Sequence, residues 1–186
     1  MDASLYPAFK AAILAETDPV FVALRQANET GQMAEWYNVL YSPAFQVWRT
    51  TTPSAEIFNA ISWAKMTPAD APDTSTAYTN RVLACQAFQM NLQILLQGQQ
   101  SVATAKLSIR QGLQDSLLSV PSATGGVAQD AGWAGAGKVK ATIQRPVTRA
   151  ERIWATGTGS TGVPGDLGAF EGRVTNSDIL NALTSG

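Results

Sequence analysis

The chain contains no histidine and has one cysteine, Cys85, among its 186 residues. Without histidine a protein lacks the usual general base near neutral pH, the Ser-His-Asp and Cys-His catalytic groups, and most zinc ligands. A single cysteine cannot form a disulfide within the chain, which is typical of a reducing compartment. Because Cys85 falls in a helical apolar pattern, we expect it to be a buried hydrophobic residue rather than a nucleophile.

Charge is scarce and nearly balanced. Lysine and arginine number 13, aspartate and glutamate number 14, and charged residues make up 15% of the chain, whereas hydrophobic residues make up 45%. A net charge of −1 gives no general attraction to nucleic acid or to an anionic membrane. No apolar run is long enough to span a bilayer, so we expect no membrane partner. Two explanations of the low charge stay open: a surface covered by partners, or a simple bias of composition.

Apolar spacing predicts helices over most of residues 5–119. The first helix is indicated by the four-residue spacing of Leu5, Phe9 and Ile13. Asp18 is the expected N-cap of a second helix, with Pro19 at its first position, where the missing N–H costs nothing. The next helical stripe consists of Met33, Trp36, Tyr37, Leu40 and Tyr41. We expect that helix to end at Pro43.

Two longer helices are predicted further along the chain, after an extended segment at 45–52 and a short helix around Ile57. The first runs from Thr74 to about Gln97 and ends at Gly98, a residue suited to the positive φ of a helix C-terminus. The second has about 17 residues by its 3.6-residue periodicity. Its apolar face contains Ile109, Leu113 and Leu117. We expect the two to be antiparallel, which predicts a mainly α fold built as an antiparallel helical bundle.

The composition changes after residue 120. Residues 121–137 and 157–168 are rich in glycine and have few apolar side chains. Such segments bury too little surface to offset their ordering entropy by themselves. We therefore predict a helical core domain over 1–120 and a glycine-rich, partly extended C-terminal arm over 121–186. The arm carries short helices for partner contacts, the last of them capped by Asn176 or Ser177.

Two glycine-rich motifs have the spacing of nucleotide-binding loops. The segment 157–162 fits G-x-G-x-x-G, but a helix precedes it, whereas a dinucleotide site needs a strand there. The segment 132–138 fits the first seven positions of a P-loop, but Val139 replaces the hydroxyl residue that would bind magnesium. The acidic residues form no recognisable catalytic pair. We expect no catalytic residue, no cofactor and no metal, and so a protein that is not an enzyme.

One segment concentrates positive charge, opposed only by Glu151. Its cations are Lys138, Lys140, Arg145, Arg149 and Arg152. The last three are spaced so that they could share one helical face. Three interpretations stay open: a solvated helix face, a patch that pairs with acidic residues of a partner, or a nonspecific contact with DNA phosphates. Trp154 falls nearer the other side of that helix and is a candidate anchor.

Two parts of the chain carry a resemblance to a known family. The segment 145–161, RPVTRAERIWATGTGST, resembles one near the C-terminus of head-to-tail adaptors of tailed bacteriophages, also called connector or neck proteins. The N-terminal segments 12–19, 24–27 and 45–50 follow the same family's order and spacing. Together these segments cover about half of the chain. The chain departs from the family at 121–137, where it carries a glycine-rich insertion.

The resemblance implies a structural virion protein, made in the host cytoplasm and located in the virion neck. It implies a homo-oligomeric ring, a dodecamer, that docks beneath the portal and binds tail or nozzle proteins on its other side. It also implies possible nonspecific contact with DNA in the channel. The expected residues for contact with the portal or the adjacent subunit are Arg145, Arg149, Arg152 and Trp154. The alternative is a DNA-packaging or nucleic-acid-binding accessory protein of the virion. A third class, a virion peptidoglycan hydrolase, would need paired acids that the sequence does not display.

Overall fold

In the computed structural model, residues 1–68, 76–121, 128–135 and 138–185 are described. About 53% of the described residues are helical, which confirms the mainly α prediction. The α-helices are α1 Tyr6–Ala15, α2 Pro19–Gln26, α3 Thr30–Asn38, α4 Ser54–Ala60, α5 Thr76–Leu96, α6 Leu107–Leu118, α7 Val139–Thr142, α8 Arg149–Arg152 and α9 Asn176–Thr184. The strands are β1 Gln46–Trp48, β2 Thr52–Pro53, β3 Ser101–Val102, β4 Val120–Pro121, β5 Ala128–Gln129 and β6 Gln144–Pro146.

The chain forms two compact units. Unit 1 contains Met1–Val47 and Pro146–Gly186, and unit 2 contains Trp48–Arg145. This division differs from the predicted boundary after residue 120, which falls inside unit 2. Unit 2 is therefore an insertion, in sequence, between the two halves of unit 1.

The core of unit 1 combines residues from both ends of the chain. Its buried members are Phe9, Ile13, Phe21, Met33, Ala34, Tyr37, Ala150, Phe170, Val174, Ile179 and Ala182. The last five lie in the segment 121–186 that we predicted as an extended arm. The prediction of an extended arm is wrong for these residues. Their apolar side chains are buried against α1 and α3 within the same chain and need no external partner to cover them.

The glycine-rich stretch 157–168 is packed closely within unit 1, against the segment that contains Phe45 and Gln46. The Gln46 N–H donates to the Gly159 carbonyl at 2.6 Å, and the Gly165 N–H donates to the Gln46 carbonyl at 2.8 Å. A Cβ atom at Gly159 would overlap the Phe45 ring, and φ there is +66°. Glycine is needed at this point for close approach and for a left-handed backbone, so the predicted role as a flexible connector is wrong.

Local capping signals gave both a correct and an incorrect prediction. The Asp18 carboxylate accepts a hydrogen bond from the Val20 N–H at 2.9 Å and caps α2, with Pro19 as its first residue, as predicted. At α9 the cap is Thr175 instead of Asn176 or Ser177. The Thr175 hydroxyl accepts from the Asp178 N–H, and the Asp178 carboxylate accepts from the Thr175 N–H in return.

The third helix is shorter than predicted. It ends at Asn38, although the apolar stripe continues to Tyr41. Leu40 forms an antiparallel bridge with Thr148, and the Tyr41 N–H donates to the Val147 carbonyl at 2.9 Å. Pairing with a distant segment therefore replaces the last helical turn.

Unit 2 is organised around the two long helices. Its buried core consists of Ile57, Ile61, Met66, Cys85, Leu92, Leu96, Val102, Leu113, Leu117, Val120, Ala131, Trp133, Val139 and Ile143. Cys85 is buried, as predicted. Gly98 has φ of +74° directly after α5, which confirms the predicted helix end, whereas the predicted start at Thr74 lies outside the described residues. The next helix, α6, has 12 residues where about 17 were predicted.

Small sheets complete the architecture. β2 pairs with β3 through Thr52 and Val102, β4 pairs with β5 through Val120 and Gln129, and both pairs are antiparallel. β1 and β6 form a third two-stranded sheet. Within 121–137, residues 122–127 and 136–137 lie outside the described part of the chain. Trp133 from the remainder is only 5% exposed, so this glycine-rich region also supplies a core side chain.

We predict that Ile179→Ala destabilises unit 1 by about 2–4 kcal/mol, because it leaves a cavity in a side-chain position with no solvent exposure. The matched control is Leu180→Ala on the same helix, which changes a side chain that is 43% exposed and should cost less than about 1 kcal/mol. The free energy of unfolding from urea titration measures both. Equal, small effects would mean that α9 is an appended arm.

Candidate partner-binding site

The three predicted arginines do not share a helical face. Arg145 lies in β6 and belongs to unit 2, whereas Arg149 and Arg152 are the first and last residues of α8 in unit 1. The physical reason lies in Pro146, which lacks an N–H and favours an extended conformation in the residue before it. The helix begins only after Thr148.

A capping box fixes where α8 starts. The Glu151 N–H donates to the Thr148 hydroxyl at 3.3 Å, and the Thr148 N–H donates to the Glu151 carboxylate at 3.0 Å. Glu151 also accepts from the Gly172 N–H at 3.1 Å and is 2% exposed. Glu151, the acidic residue among these cations in the sequence, therefore also holds the backbone of unit 1 at Thr148 and Gly172.

Trp154, the predicted anchor, packs inside unit 1. Its ring centroid lies 6.1 Å from that of Phe9 and 5.4 Å from that of Phe170. A Cβ atom at Gly168 would overlap the Trp154 carbonyl oxygen. These contacts make Trp154 part of the packing that holds α8 in place.

Arg149 and Arg152 are stacked on aromatic rings. The Arg149 Cζ lies 3.5 Å from the centroid of the Trp36 ring. The Arg152 Cζ lies 4.3 Å from the centroid of Phe45 and 5.5 Å from that of Tyr41. Such cation–π contacts contribute roughly 0.5–2 kcal/mol, the larger value where the pair is desolvated. They also hold each guanidinium against its ring.

A cleft lies beside these arginines, and we call it the donor cleft. Its volume is about 310 Å³. It is lined by Ala12, Glu16, Asp18, Trp36, Tyr37, Tyr41, Ser42, Arg149, Arg152 and Ile153. All of these residues belong to unit 1. The sequence predicted the two arginines as site residues but placed Trp36 and Tyr37 in an apolar helical stripe. Helical spacing does not reveal whether the indole N–H of a tryptophan or the hydroxyl of a tyrosine has a hydrogen-bond partner.

Four lining residues each have a buried polar atom without a hydrogen-bond partner among the described residues. These atoms are Trp36 Nε1, Tyr37 Oη, Arg149 Nη1 and Arg152 Nε. The three nitrogens are donors only, and the hydroxyl can also donate. A buried polar group without a partner costs about 1–3 kcal/mol, so such atoms in a folded protein call for an acceptor.

The Tyr37 hydroxyl stays protonated. Burial raises the pKa of Tyr37 far above its ordinary value, and the nearby Glu16 carboxylate raises it further. Arg25 and Arg149 lower the pKa, but by less. At any physiological pH the group is therefore a neutral O–H that can donate a hydrogen bond.

Two acidic residues also line the donor cleft, and both are occupied with local backbone. The Glu16 carboxylate accepts from the N–H groups of Thr17 and Asp18 at 2.9 and 3.1 Å. The Asp18 carboxylate caps α2. Across the described ranges, no ion pair joins either acid to Arg149 or Arg152. The arginine edges therefore lack an internal carboxylate partner.

Unit 2 has a different surface feature, an apolar stripe on α5. Leu83, Met90 and Ile94 are 58%, 63% and 68% exposed. They repeat, two residues earlier, the spacing of the buried Cys85, Leu92 and Leu96, and so lie on the opposite side of the helix. Beside the same helix a groove of about 700 Å³ is lined by Ser54, Ala55, Phe58, Asn59, Trp63, Gln89, Leu92, Gln93, Leu96 and Gln97.

The P-loop-like motif is filled by the protein's own carboxylate. Asp130 accepts hydrogen bonds from the backbone N–H groups of Gly132, Trp133, Ala134 and Gly135 at 2.7, 2.5, 2.8 and 2.6 Å. Burial raises the pKa of Asp130, but these four bonds outweigh it and leave the pKa below its ordinary value. Donors that could cradle a phosphate therefore bind Asp130 instead.

The described ranges of the chain contain neither a candidate metal site nor a candidate membrane-spanning helix. No group of three or more histidine, cysteine, aspartate or glutamate side chains lies close enough together to hold a metal ion there. In the same ranges, no helix has both the length and the apolar character needed to cross a membrane. Comparison with protein-family models, with curated proteins and with solved structures found no match. The candidate surfaces therefore rest on the geometry of this chain.

Asp130 makes the stability of unit 2 depend on pH. Since its folded pKa is lowered, its contribution is present above the unfolded pKa of about 3.9 and is lost as pH falls through the folded value. We predict that Asp130→Asn lowers the melting temperature at pH 6. The difference in melting temperature between the variant and the wild type should become smaller below about pH 4. Thermal melts across this range measure both effects. A gap that stays constant with pH would contradict the assignment.

Proposed function

We propose that the protein is a structural virion protein, a head-to-tail adaptor that forms a ring beneath the portal and links the capsid to the tail. The observation that carries this proposal is the apolar stripe on α5. A helix that is apolar on two opposite faces is typical of one that is buried on both sides. In the single chain one of these two faces is exposed. We therefore assign this face to a contact with another protein chain in the assembly.

The low overall charge supports the same interpretation. Contiguous exposed apolar surface on a small protein marks an interaction site, whereas single exposed apolar residues do not. Leu83, Met90 and Ile94 lie along one face of α5 and form such a stripe, whereas the groove beside α4 is a separate surface on the side of Leu92 and Leu96. The resemblance of segment 145–161 to phage adaptors names the kind of assembly.

In the proposed ring each copy uses one face to meet a different face of the next copy, since closed rings require such heterologous contacts. We assign the α5 stripe to the contact with the neighbouring copy, in a ring that we expect to be a dodecamer. Within this proposal α5 and α6 are an antiparallel pair of a helical bundle. The portal lies on one side of the ring and the tail or nozzle proteins on the other, in the virion neck.

A DNA-packaging or nucleic-acid-binding accessory protein stays the alternative. Nonspecific phosphate binding uses freely exposed cations and shows steep salt dependence. In unit 1, Arg149 and Arg152 are instead held against aromatic rings, which favours a fixed partner group over a sliding polymer. DNA binding that weakens steeply with salt, in the absence of ring formation, would favour this alternative.

We predict that the double variant Met90→Lys, Ile94→Lys prevents ring formation and leaves the fold of the monomer intact. Burying two lysines at a contact that normally takes apolar side chains is costly, whereas on an exposed surface they are solvated. Negative-stain images of the purified protein, with and without the portal protein of the same virus, measure assembly. Circular dichroism and thermal melting report the fold.

The matched control is Asn91→Lys, an added positive charge at an exposed position of α5 that lies outside the stripe. It should assemble as the wild type does. Normal rings from the double variant would remove the stripe from the interface. A wild-type protein that forms no ring with or without portal would overturn the proposed function itself.

A further inference from the structure

The donor cleft of unit 1 has the chemistry of a site that is completed by an acceptor from outside the chain. Trp36, Tyr37, Arg149 and Arg152 each contribute a buried polar atom without a partner. Tyr37 as a whole is 3% exposed, so its hydroxyl is removed from bulk solvent. An acceptor bound in the cleft would give these atoms the hydrogen bonds that they lack.

The arginines are prepared for an edge-on contact. Stacking on Trp36 and Phe45 covers one face of each guanidinium. Arg152 already donates through Nη1 to the Ala155 carbonyl at 3.1 Å, which further limits its movement. Arg149 Nη1 and Arg152 Nε are buried N–H groups at the guanidinium edges without a partner among the described residues. Planar guanidinium edges match the two oxygens of a carboxylate.

The local charge selects a monoanion. The two arginines are balanced by Glu16 and Asp18 in the same lining, so the cleft as a whole is close to neutral. Glu16 and Asp18 repel a phosphate dianion or a polyanion more strongly than a single carboxylate, which can still meet the arginine edges. A volume of about 310 Å³ admits one side chain together with a few waters.

We propose that the donor cleft binds the carboxylate of an aspartate or glutamate side chain from another protein chain. The carboxylate accepts from Arg149 and Arg152 and from the Tyr37 hydroxyl or the Trp36 indole N–H. Only the source of this side chain, an adjacent copy or the portal, rests on the proposed function. Arg145 and Trp154 take no part, because Arg145 belongs to unit 2 and Trp154 serves as packing.

The test uses the full chain labelled with ¹⁵N and sodium propionate as the probe, a small molecule that carries the carboxylate of a glutamate side chain. The indole N–H signal of Trp36, identified by its loss in Trp36→Phe, should shift saturably with propionate in the millimolar range. Sodium chloride at the same ionic strength should not shift it. The Trp63 indole is an internal control, since it already donates to the Phe58 carbonyl at 3.0 Å.

Variants separate binding from structure. Arg149→Gln and Arg152→Gln should each weaken propionate binding about tenfold. Arg173→Gln, which removes an exposed cation paired with Glu35 at 2.9 Å, should leave binding unchanged. Tyr37→Phe should weaken binding while melting at the same temperature as the wild type or higher, because it removes an unpaired buried hydroxyl.

Tyr6→Phe is the counterpart for Tyr37→Phe. The Tyr6 hydroxyl already accepts from the Asn181 amide at 3.2 Å, so its loss should lower the melting temperature and leave propionate binding intact. No saturable shift with propionate, or tighter binding of inorganic phosphate than of propionate, would overturn the carboxylate site. If rings form but propionate does not bind, the carboxylate site is wrong and the proposed function stands. If propionate binds but no rings form, the carboxylate site stands and the proposed function is wrong.

Discussion

The core of unit 1 depends on a contact between the two ends of the chain. Phe170, Val174 and Ile179 pack against the helices that contain Phe9 and Met33, with all of unit 2 lying between them in sequence. Closing so long a loop costs entropy, but the cost grows only slowly with loop length. Burial of large apolar side chains on both sides offsets it. Neither half of unit 1 has a complete core without the other.

This closure creates the donor cleft. The cleft takes Trp36 and Tyr37 from α3 and its arginines from α8, which follows the return of the chain to unit 1. The bridge between Leu40 and Thr148 sets the two elements side by side, and the capping box at Glu151 orients α8. Aromatic rings then hold both arginines in place, although Arg149 Nη1 and Arg152 Nε lack acceptors among the described residues. Four residues of the cleft lining therefore carry polar atoms to which the described part of the chain gives no hydrogen bond.

Local rules predicted the elements whose signals are contained in a few neighbouring residues. Asp18 and Pro19 start α2 because the cap and the fixed φ act within one turn, and Gly98 ends α5 because it tolerates a positive φ. Buried Cys85 followed from helical periodicity alone. The same rules misplaced the end of α3, where pairing with the distant segment at Val147 and Thr148 replaces the last turn. They also misplaced the cap of α9, where Thr175 forms a local capping box with Asp178. They also treated Arg145, Arg149 and Arg152 as one face, which Pro146 prevents.

Taken alone, the sequence determined a mainly α protein with no histidine chemistry, two long helices and a stretch of cations beside aromatic residues. Only the tertiary structure decided that the glycine-rich segment 157–168 is close-packed and that residues 146–186 complete a core. A glycine-rich composition indicates how little apolar surface a segment can bury by itself. It does not indicate that another segment packs against it, as the Phe45 ring does at Gly159. The donor cleft has the same origin. Whether Trp36 and Tyr37 find hydrogen-bond acceptors depends on what other segments place beside them, and no periodicity along the chain records that.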